Sequence, residues 1–386
     1  MICHSLHNFG GHEYMYTKEI CKNLDESFEP LILGRKDTNE KICSELNVKK
    51  IFSVIKYNQE QSFLTKMYKL ILRELLWYKE IISYLDTSEM SHNDVVFVHT
   101  FSIYNIFSWL FIIPKIRKKG AKLILLFRYS KILLPDILKI LHVQICKLFP
   151  EPNKKVVYLC DSEELRKEYL ESSNLKLEVV PVMAKTEFKR KNYDINDTIT
   201  LSYLGAARND KGFYLLPEII HAIENSGKSN VNFVIQSSFS GTNFMESKCS
   251  TALEKLIEIS KKNTNITLFE NQLDDDTYDK LLLSTDLMLL PYTGATYKIQ
   301  TSGILIESMA NGIPCIVPKD TWMEKELNIS GGGVSFNPKK IDSPGKAVIK
   351  VLDNYDHFKN LALKNMDKIK VLHGPKAQTN KIMEFC

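Results

Sequence analysis

The sequence predicts an α/β protein built from two doubly wound parallel sheets, one per domain, facing a central cleft. Short β-branched runs alternate with longer helical patterns along all 386 residues, the pattern of parallel strands joined by helical crossovers. The alternation breaks once, over the polar, charge-mixed stretch "AKTEFKRKNYDINDT" (184–198), and then restarts. A chain of this length suits two domains of roughly 150 to 200 residues rather than one core. The division is an N-terminal domain over 1–185 and a C-terminal domain over 186–371, with a last helix near 372–386 that packs back on the first domain.

In the first domain the strand candidates are "MICHSL" (1–6), "PLILG" (30–34), "KIFSVI" (50–55), "DVVFVHT" (94–100), "AKLILLF" (121–127), "KVVYLC" (155–160) and "LEVVPV" (177–182). Amphipathic segments such as "GGHEYMYTKEICKNL" (10–24) lie between them. The first candidate is short for a sheet centre, which leaves a trimmed strand or a start further upstream. In the second domain the strands are "ITLSYLG" (199–205), "VNFVIQS" (231–237), "NITLFE" (265–270), "DLMLLPY" (286–292) and "IPCIVP" (313–318). Sheets of this kind bind ligands at the carboxyl ends of their strands, so the cleft between the domains is the expected site.

Composition narrows the class further. With 44% hydrophobic and 25% charged residues the chain reads as globular, and its net charge of +5 is mild but uneven. Residues 101–150 carry nine Lys or Arg against a single acid, Asp136, an excess that points to an anionic partner. The same window holds Phe101, Tyr104, Phe107, Trp109, Phe111 and Ile112, a mixture suited to an interface helix on anionic lipid and equally to a solvated face over a core. No nucleic-acid partner is expected. The eight cysteines show no C-x-x-C and no clustered spacing, which argues for reduced thiols and a cytoplasmic chain. The most apolar run, "IFSWLFIIP" (106–114), is far short of the roughly 18 residues that span a bilayer, and no signal-peptide pattern follows Met1.

Two turns in the second domain carry chemistry. In "YLGAARNDKGFYLLPEII" (203–220) a strand ends at Gly205 and a turn holding Arg208 and Lys211 leads into a helix. Two cations there suit a phosphate-bearing ligand, although a solvated basic turn has the same spacing. In "QTSGILIESMANGIPCIVP" (300–318) a small polar turn starts a helix at Ser302 and Gly303, where unpaired amides and the helix dipole favour an anion. Glu307 lies one turn further in, out of register for a capping box, where it would accept hydrogen bonds from vicinal hydroxyls or simply face solvent.

Taken in order, "YLGAARNDKG", "LLPY", "SGILIESMANGIPCIVP" and "GGGVSFNP" (331–338) resemble the nucleotide-sugar domain of GT-B glycosyltransferases, in particular glycosyltransferase family 4. The resemblance implies two Rossmann-like domains. It implies that Arg208 and Lys211 hold the donor diphosphate, that the helix start at Ser302 and Gly303 caps it, that Gly205 ends the first strand beside it, and that Glu307 binds the ribose. The family often has two glutamates separated by seven intervening residues on this segment; here the earlier position, eight before Glu307, is Ile299. In the first domain "HNFGGHEY" (7–14) is similar to the family's glycine-rich loop, with Gly10 and Gly11 near phosphates and acceptor, and "DVVFVHTFS" to its strand ending in a cleft histidine, here His99. A strand-end histidine also serves as a buried structural partner.

The implied activity is transfer of a sugar from a nucleotide diphosphate sugar to a saccharide or lipid-linked saccharide, with retention of configuration, in surface polysaccharide synthesis on the cytoplasmic face of a membrane. No metal or other cofactor is expected, since side-chain cations face the diphosphate. Asp274, Asp275 and Asp276 read as first-turn acids that complement a helix dipole rather than a metal motif. Cys3, His4, His7 and His12 are metal-ligand types, but strand alternation and the glycine loop separate them. The alternatives are a nucleotide-sugar 2-epimerase of the same fold and a catalytically silent saccharide-binding module.

Overall fold

The computed structural model describes residues 1–9, 12–55, 63–101, 106–188, 198–238, 247–293 and 295–386. It forms two compact units: Met1–Met183 with Pro375–Cys386, and Ala184–Gly374. The divisions fall at 183/184 and 374/375, against 185/186 and 371/372 expected from the sequence. The last helix, Pro375–Met383, lies against the helix His12–Asn23, buries Ile382 in the first unit's core, and anchors its Gln378 amide to the Pro181 carbonyl at 2.7 Å.

The first unit contains β1 (Ile32–Arg35), β2 (Val48–Phe52), β3 (Val95–Phe101), β4 (Lys122–Phe127), β5 (Val156–Cys160) and β6 (Glu178–Val179). All pairings are parallel, β1 with β2 and β3 through β6 in sequence order. Ile2 joins the two sets by bridging Leu33 on one side and Val98 on the other. The strand expected over 1–6 is thus reduced to a bridge. Its backbone is still held on both edges, by Ile2 N to Phe97 O at 2.8 Å and Cys3 N to Leu33 O at 3.0 Å. Residues Val156–Cys160 are buried without alternation because helices cover both faces of a parallel sheet.

The second unit adds β7 (Ile199–Tyr203), β8 (Val231–Gln236), β9 (Ile266–Phe269), β10 (Leu287–Leu289), β11 (Cys315–Pro318) and β12 (Gly333–Phe336). Their spatial order is β9-β8-β7-β10-β11-β12, all parallel. Chain direction across the sheet reverses between β7 and β10, so the connections leaving those two strands splay apart. That splay opens a crevice at their carboxyl ends, the ligand position of doubly wound sheets. The core beneath it is built from Leu201, Phe213, Ile219, Phe233, Leu287 and Ile316 among others.

Candidate functional site

The two turns of the second unit singled out in the sequence follow β7 and β10, the strands at this reversal point. After β7 the chain passes Gly205, whose φ of +151° is open to glycine and closed to most side chains. A Cβ there would lie 3.2 Å from Lys211 Nζ and 3.5 Å from Ile304 Cδ1, so this glycine is where Lys211 meets the first turn of the helix Gly303–Ala310. Gly212, at φ +68°, lets the turn close on the Pro291 carbonyl, which a Cβ would approach to 1.8 Å. Thr293 laces the two turns together, its N–H donating to Asp210 O at 2.8 Å and its hydroxyl to Asn209 O at 3.0 Å.

Lys211 is the least compensated cation of the site. Its ammonium lies 5.6 Å from the Tyr292 ring centroid, and among the described residues no acceptor pairs with it. Burial, and then the charge of Arg208, lower its pKa from 10.5 to about 8. Arg208 is differently placed. Its Nε donates to Asp210 Oδ1 at 2.8 Å, its Nη2 to Asp210 Oδ2, and the same Nη2 to the Tyr297 hydroxyl at 3.3 Å. The fork keeps the guanidinium charged and oriented while its side chain stays 42% exposed.

On the other turn, Ser302 caps the helix Gly303–Ala310 through Leu305 N at 3.4 Å, and, apart from its own chain neighbours and helix backbone, no heavy atom of the described residues lies within 4 Å of the Cβ position of Gly303. The helix start therefore has open space beside it. Glu307 is partly buried, and its Oε2 accepts from the Tyr278 hydroxyl at 2.5 Å. Burial raises its pKa, an effect that the bonds from Tyr278 and the Lys185 backbone oppose. Lys185 in turn pairs with Asp279, one residue from Tyr278. Asp274 accepts from Thr277 N at 2.7 Å and caps the helix Asp275–Leu283, with Asp275 and Asp276 in its first turn. The acidic triplet is accounted for as a helix start.

Asp210, Tyr278, Tyr297 and Lys185 were not singled out from the sequence. Only Asp210 had a local signal, an acid two residues after Arg208 in one turn. Tyr278 and Lys185 reach Glu307 from 29 and 122 positions away in the chain, a closeness that no spacing reveals.

In the first unit His99 does not present its ring to a ligand. It is fully buried, with Nδ1 at 2.9 Å from the Thr100 hydroxyl and Nε2 at 3.0 Å from Cys3 Sγ and 3.2 Å from the Thr17 hydroxyl. Burial and the nearby Arg128 lower its pKa to about 3, so it stays neutral. Placing His99 among ligand-touching residues is corrected accordingly: it is part of a cluster. Cys3 donates to Glu13 Oε2 at 3.3 Å, and Cys3, Glu13 and His99 offer metal-ligand atoms within 4.8 Å of one another. His4 instead stacks near Trp77, and His7 bonds to the Ser5 carbonyl. Gly10 and Gly11 lie outside the described residues.

A two-domain α/β protein with an anion-suited crevice at the β7/β10 reversal is the class that fold and site define. The profile of the family described as Glycosyl transferases group 1 matches residues 185–366. Three solved structures share the fold across nearly the whole chain. Sucrose-phosphate synthase from Thermosynechococcus elongatus is 12% identical with a TM-score of 0.68, covering 97% of this chain and 92% of its own. Anabaena HepE in complex with UDP and glucose is 10% identical with a TM-score of 0.71, covering 99% and 98%. The E. coli trehalose-6-phosphate protein bound with UDP-2-fluoro glucose is 11% identical with a TM-score of 0.71, covering 99% and 97%. No curated protein sequence matches at a significant level. Residues 185–366 thus carry the glycosyl transferases group 1 match, and the chain as a whole has the GT-B fold of those solved structures.

Proposed function

We propose that the protein transfers a sugar from a nucleotide diphosphate sugar to a hydroxyl of a saccharide or lipid-linked saccharide, in the manner of glycosyltransferase family 4. The observation that carries this reading is the meeting at Gly205 of the Lys211 ammonium and the first turn of the helix that begins at Gly303. Two sources of positive potential converge on one open space, which suits a diphosphate better than a neutral sugar. Relatives of the same fold solved with UDP and with UDP-2-fluoro glucose support uridine diphosphate sugars as the first donors to test.

In this reading Lys211, Arg208 and the amides after Ser302 meet the diphosphate, and Glu307, steadied by Tyr278, accepts from the ribose hydroxyls. The bond between the anomeric carbon and the β-phosphate oxygen breaks and its electron pair leaves with the nucleoside diphosphate. The acceptor oxygen bonds to the anomeric carbon on the face the diphosphate left, retaining configuration, and its proton passes to a leaving phosphate oxygen. Charge grows on the diphosphate as the bond breaks, so the cations act most strongly in the transition state. The reaction needs no divalent metal, since those charges are carried by side chains and helix amides. Work in surface polysaccharide synthesis fits a first domain that docks through its basic 101–150 window on the anionic cytoplasmic face of a membrane. Among the described residues no helix is long and apolar enough to cross one.

Incubation of the full chain with each nucleotide sugar, without acceptor, tests the reading. Slow release of free sugar and nucleoside diphosphate supports a transferase; an epimeric nucleotide sugar supports the 2-epimerase; binding without turnover supports a silent module.

A further inference from the structure

Several of the first unit's exposed large apolar side chains are gathered in one place. A cavity of about 460 Å³ runs between the helices Phe63–Thr87, Ile106–Lys118 and Asp136–Lys147. Its volume falls in the range of about 300 to 1,000 Å³ typical of small-molecule sites. Ile71, Leu75, Phe107, Phe111 and Leu141 line it and are each half or more exposed, and Ile137 and Ile140 continue the apolar surface at 77% and 65% exposure. Phe107 and Phe111 stack edge to face at 5.5 Å, forming one lip. Clustered exposure of this kind marks a binding surface rather than the scattered apolar residues of an ordinary exterior.

Two further features say what occupies it. The single acid among the lining side chains, Glu74, has one carboxyl oxygen held by the Ser108 hydroxyl at 3.2 Å, while Oε1 is buried without a hydrogen-bonding partner. Burial pushes its pKa up to about 8, so this carboxyl is mostly protonated at neutral pH. The groove's surroundings are cationic. The helices Ile106–Lys118 and Asp136–Lys147 are successive crossovers of one parallel sheet and run in the same direction, which brings their C-terminal cations to one end. There Arg117, Lys118 and Lys147 are exposed and have no ion-pair partner among the described residues.

We infer that the groove receives the hydrocarbon chain of an anionic lipid while Arg117, Lys118 and Lys147 meet the headgroup. The inference deepens the membrane docking proposed above, from attraction to a charged surface to capture of a chain.

Tryptophan emission provides the test, because Trp77 and Trp109, two of the three tryptophans, sit on groove helices. The full chain is mixed with phosphatidylcholine vesicles containing phosphatidylglycerol, with plain or brominated acyl chains, and sedimentation is measured alongside. The expected result is co-sedimentation and loss of emission with brominated chains only. In the variant carrying Phe107→Glu and Phe111→Glu that loss disappears; both sites are exposed, so folding survives. Co-sedimentation with equal emission for both lipids overturns chain capture and leaves the charged docking intact. No co-sedimentation overturns both, and a lipid-free doubling of mass abolished by Phe111→Glu assigns the groove to a second copy instead. A thermal shift with UDP-sugar, measured in parallel, reports on the second unit and keeps the donor reading separate from either failure.

Discussion

Lys211 turns the proposed donor site into a proton-linked one. In the unliganded protein its pKa is lowered to about 8, first by burial and then by Arg208. A diphosphate beside it supplies the missing counter-charge and returns the pKa toward its ordinary value of about 10.4. Between those two values the free protein must take up a proton to bind, so donor affinity falls about tenfold per pH unit, or about 1.4 kcal/mol. From pH 7 to pH 9 the expected loss is therefore about tenfold, since Lys211 is mostly charged at the lower pH and about one-tenth charged at the higher. Calorimetry with UDP-sugar in buffers of different ionisation enthalpy measures both the affinity and the proton uptake. Lys211→Arg, which stays charged, is expected to bind with a flat profile over the same range. The unliganded fold responds in the opposite sense: the unfolded chain holds more protons between about pH 8 and pH 10.5, so the contribution of Lys211 to stability rises with pH there. Equal proton uptake by wild type and Lys211→Arg would refute the reasoning and put the linked group elsewhere.

Other substitutions separate the roles of the remaining residues. Glu307→Ala is expected to weaken donor binding with little change in melting temperature, because Leu305, Ile306 and Met309 already bury the apolar face of its helix. Tyr278→Phe leaves that carboxylate in place but removes its 2.5 Å bond, so calorimetry is expected to show a smaller loss, about fivefold at roughly 1 kcal/mol. Arg208→Ala is expected to lower kcat at saturating donor by about 10²- to 10³-fold, the usual cost of one electrostatic contact to a developing charge; a change confined to KM sinks the leaving-group role. Turnover is expected to persist in excess chelator. Complete loss, restored by Mg²⁺ or Mn²⁺, would show that side chains alone do not carry the diphosphate charge.

The parallel sheets were legible because their strands are near-continuous apolar runs, as in "KLILLF" and "VVYLC", and runs of that kind need no tertiary information. The edge strand β12 was not, since it starts on a glycine and is only four residues long, and pairing with β11 makes Gly333–Phe336 a strand. "MICHSL" shows the reverse error: its residues favour a strand, but the chain bends away after Cys3 and Leu6 N turns back to the Cys3 carbonyl at 3.2 Å. In the site, the turns around Arg208, Lys211 and Ser302 carried local signals of charge and capping. What stayed hidden was which groups compensate them. Asp210 ties Arg208, while Lys211 has no acceptor among the described residues, and that difference follows from side-chain packing around Gly205. His99 failed as a ligand-facing residue because strand position fixes which end of the sheet a side chain occupies and not how many neighbours cover it.

The central claim is that a diphosphate lies in the open space beside the helix start at Gly303. Gly303→Val tests it directly, because beyond its own helix and chain neighbours no heavy atom of the described residues lies within 4 Å of the Cβ position, and the glycine is not in the left-handed region. The added side chain leaves the fold undisturbed and fills the space the anion needs. Titration calorimetry of UDP-sugar against wild type and Gly303→Val is the measurement, with melting temperature as the control. The expected result is a loss of donor affinity of about tenfold or more, at least about 1.4 kcal/mol, with an unchanged melting temperature. Unchanged affinity in a folded Gly303→Val protein would contradict the account and move the nucleotide away from the β7/β10 reversal.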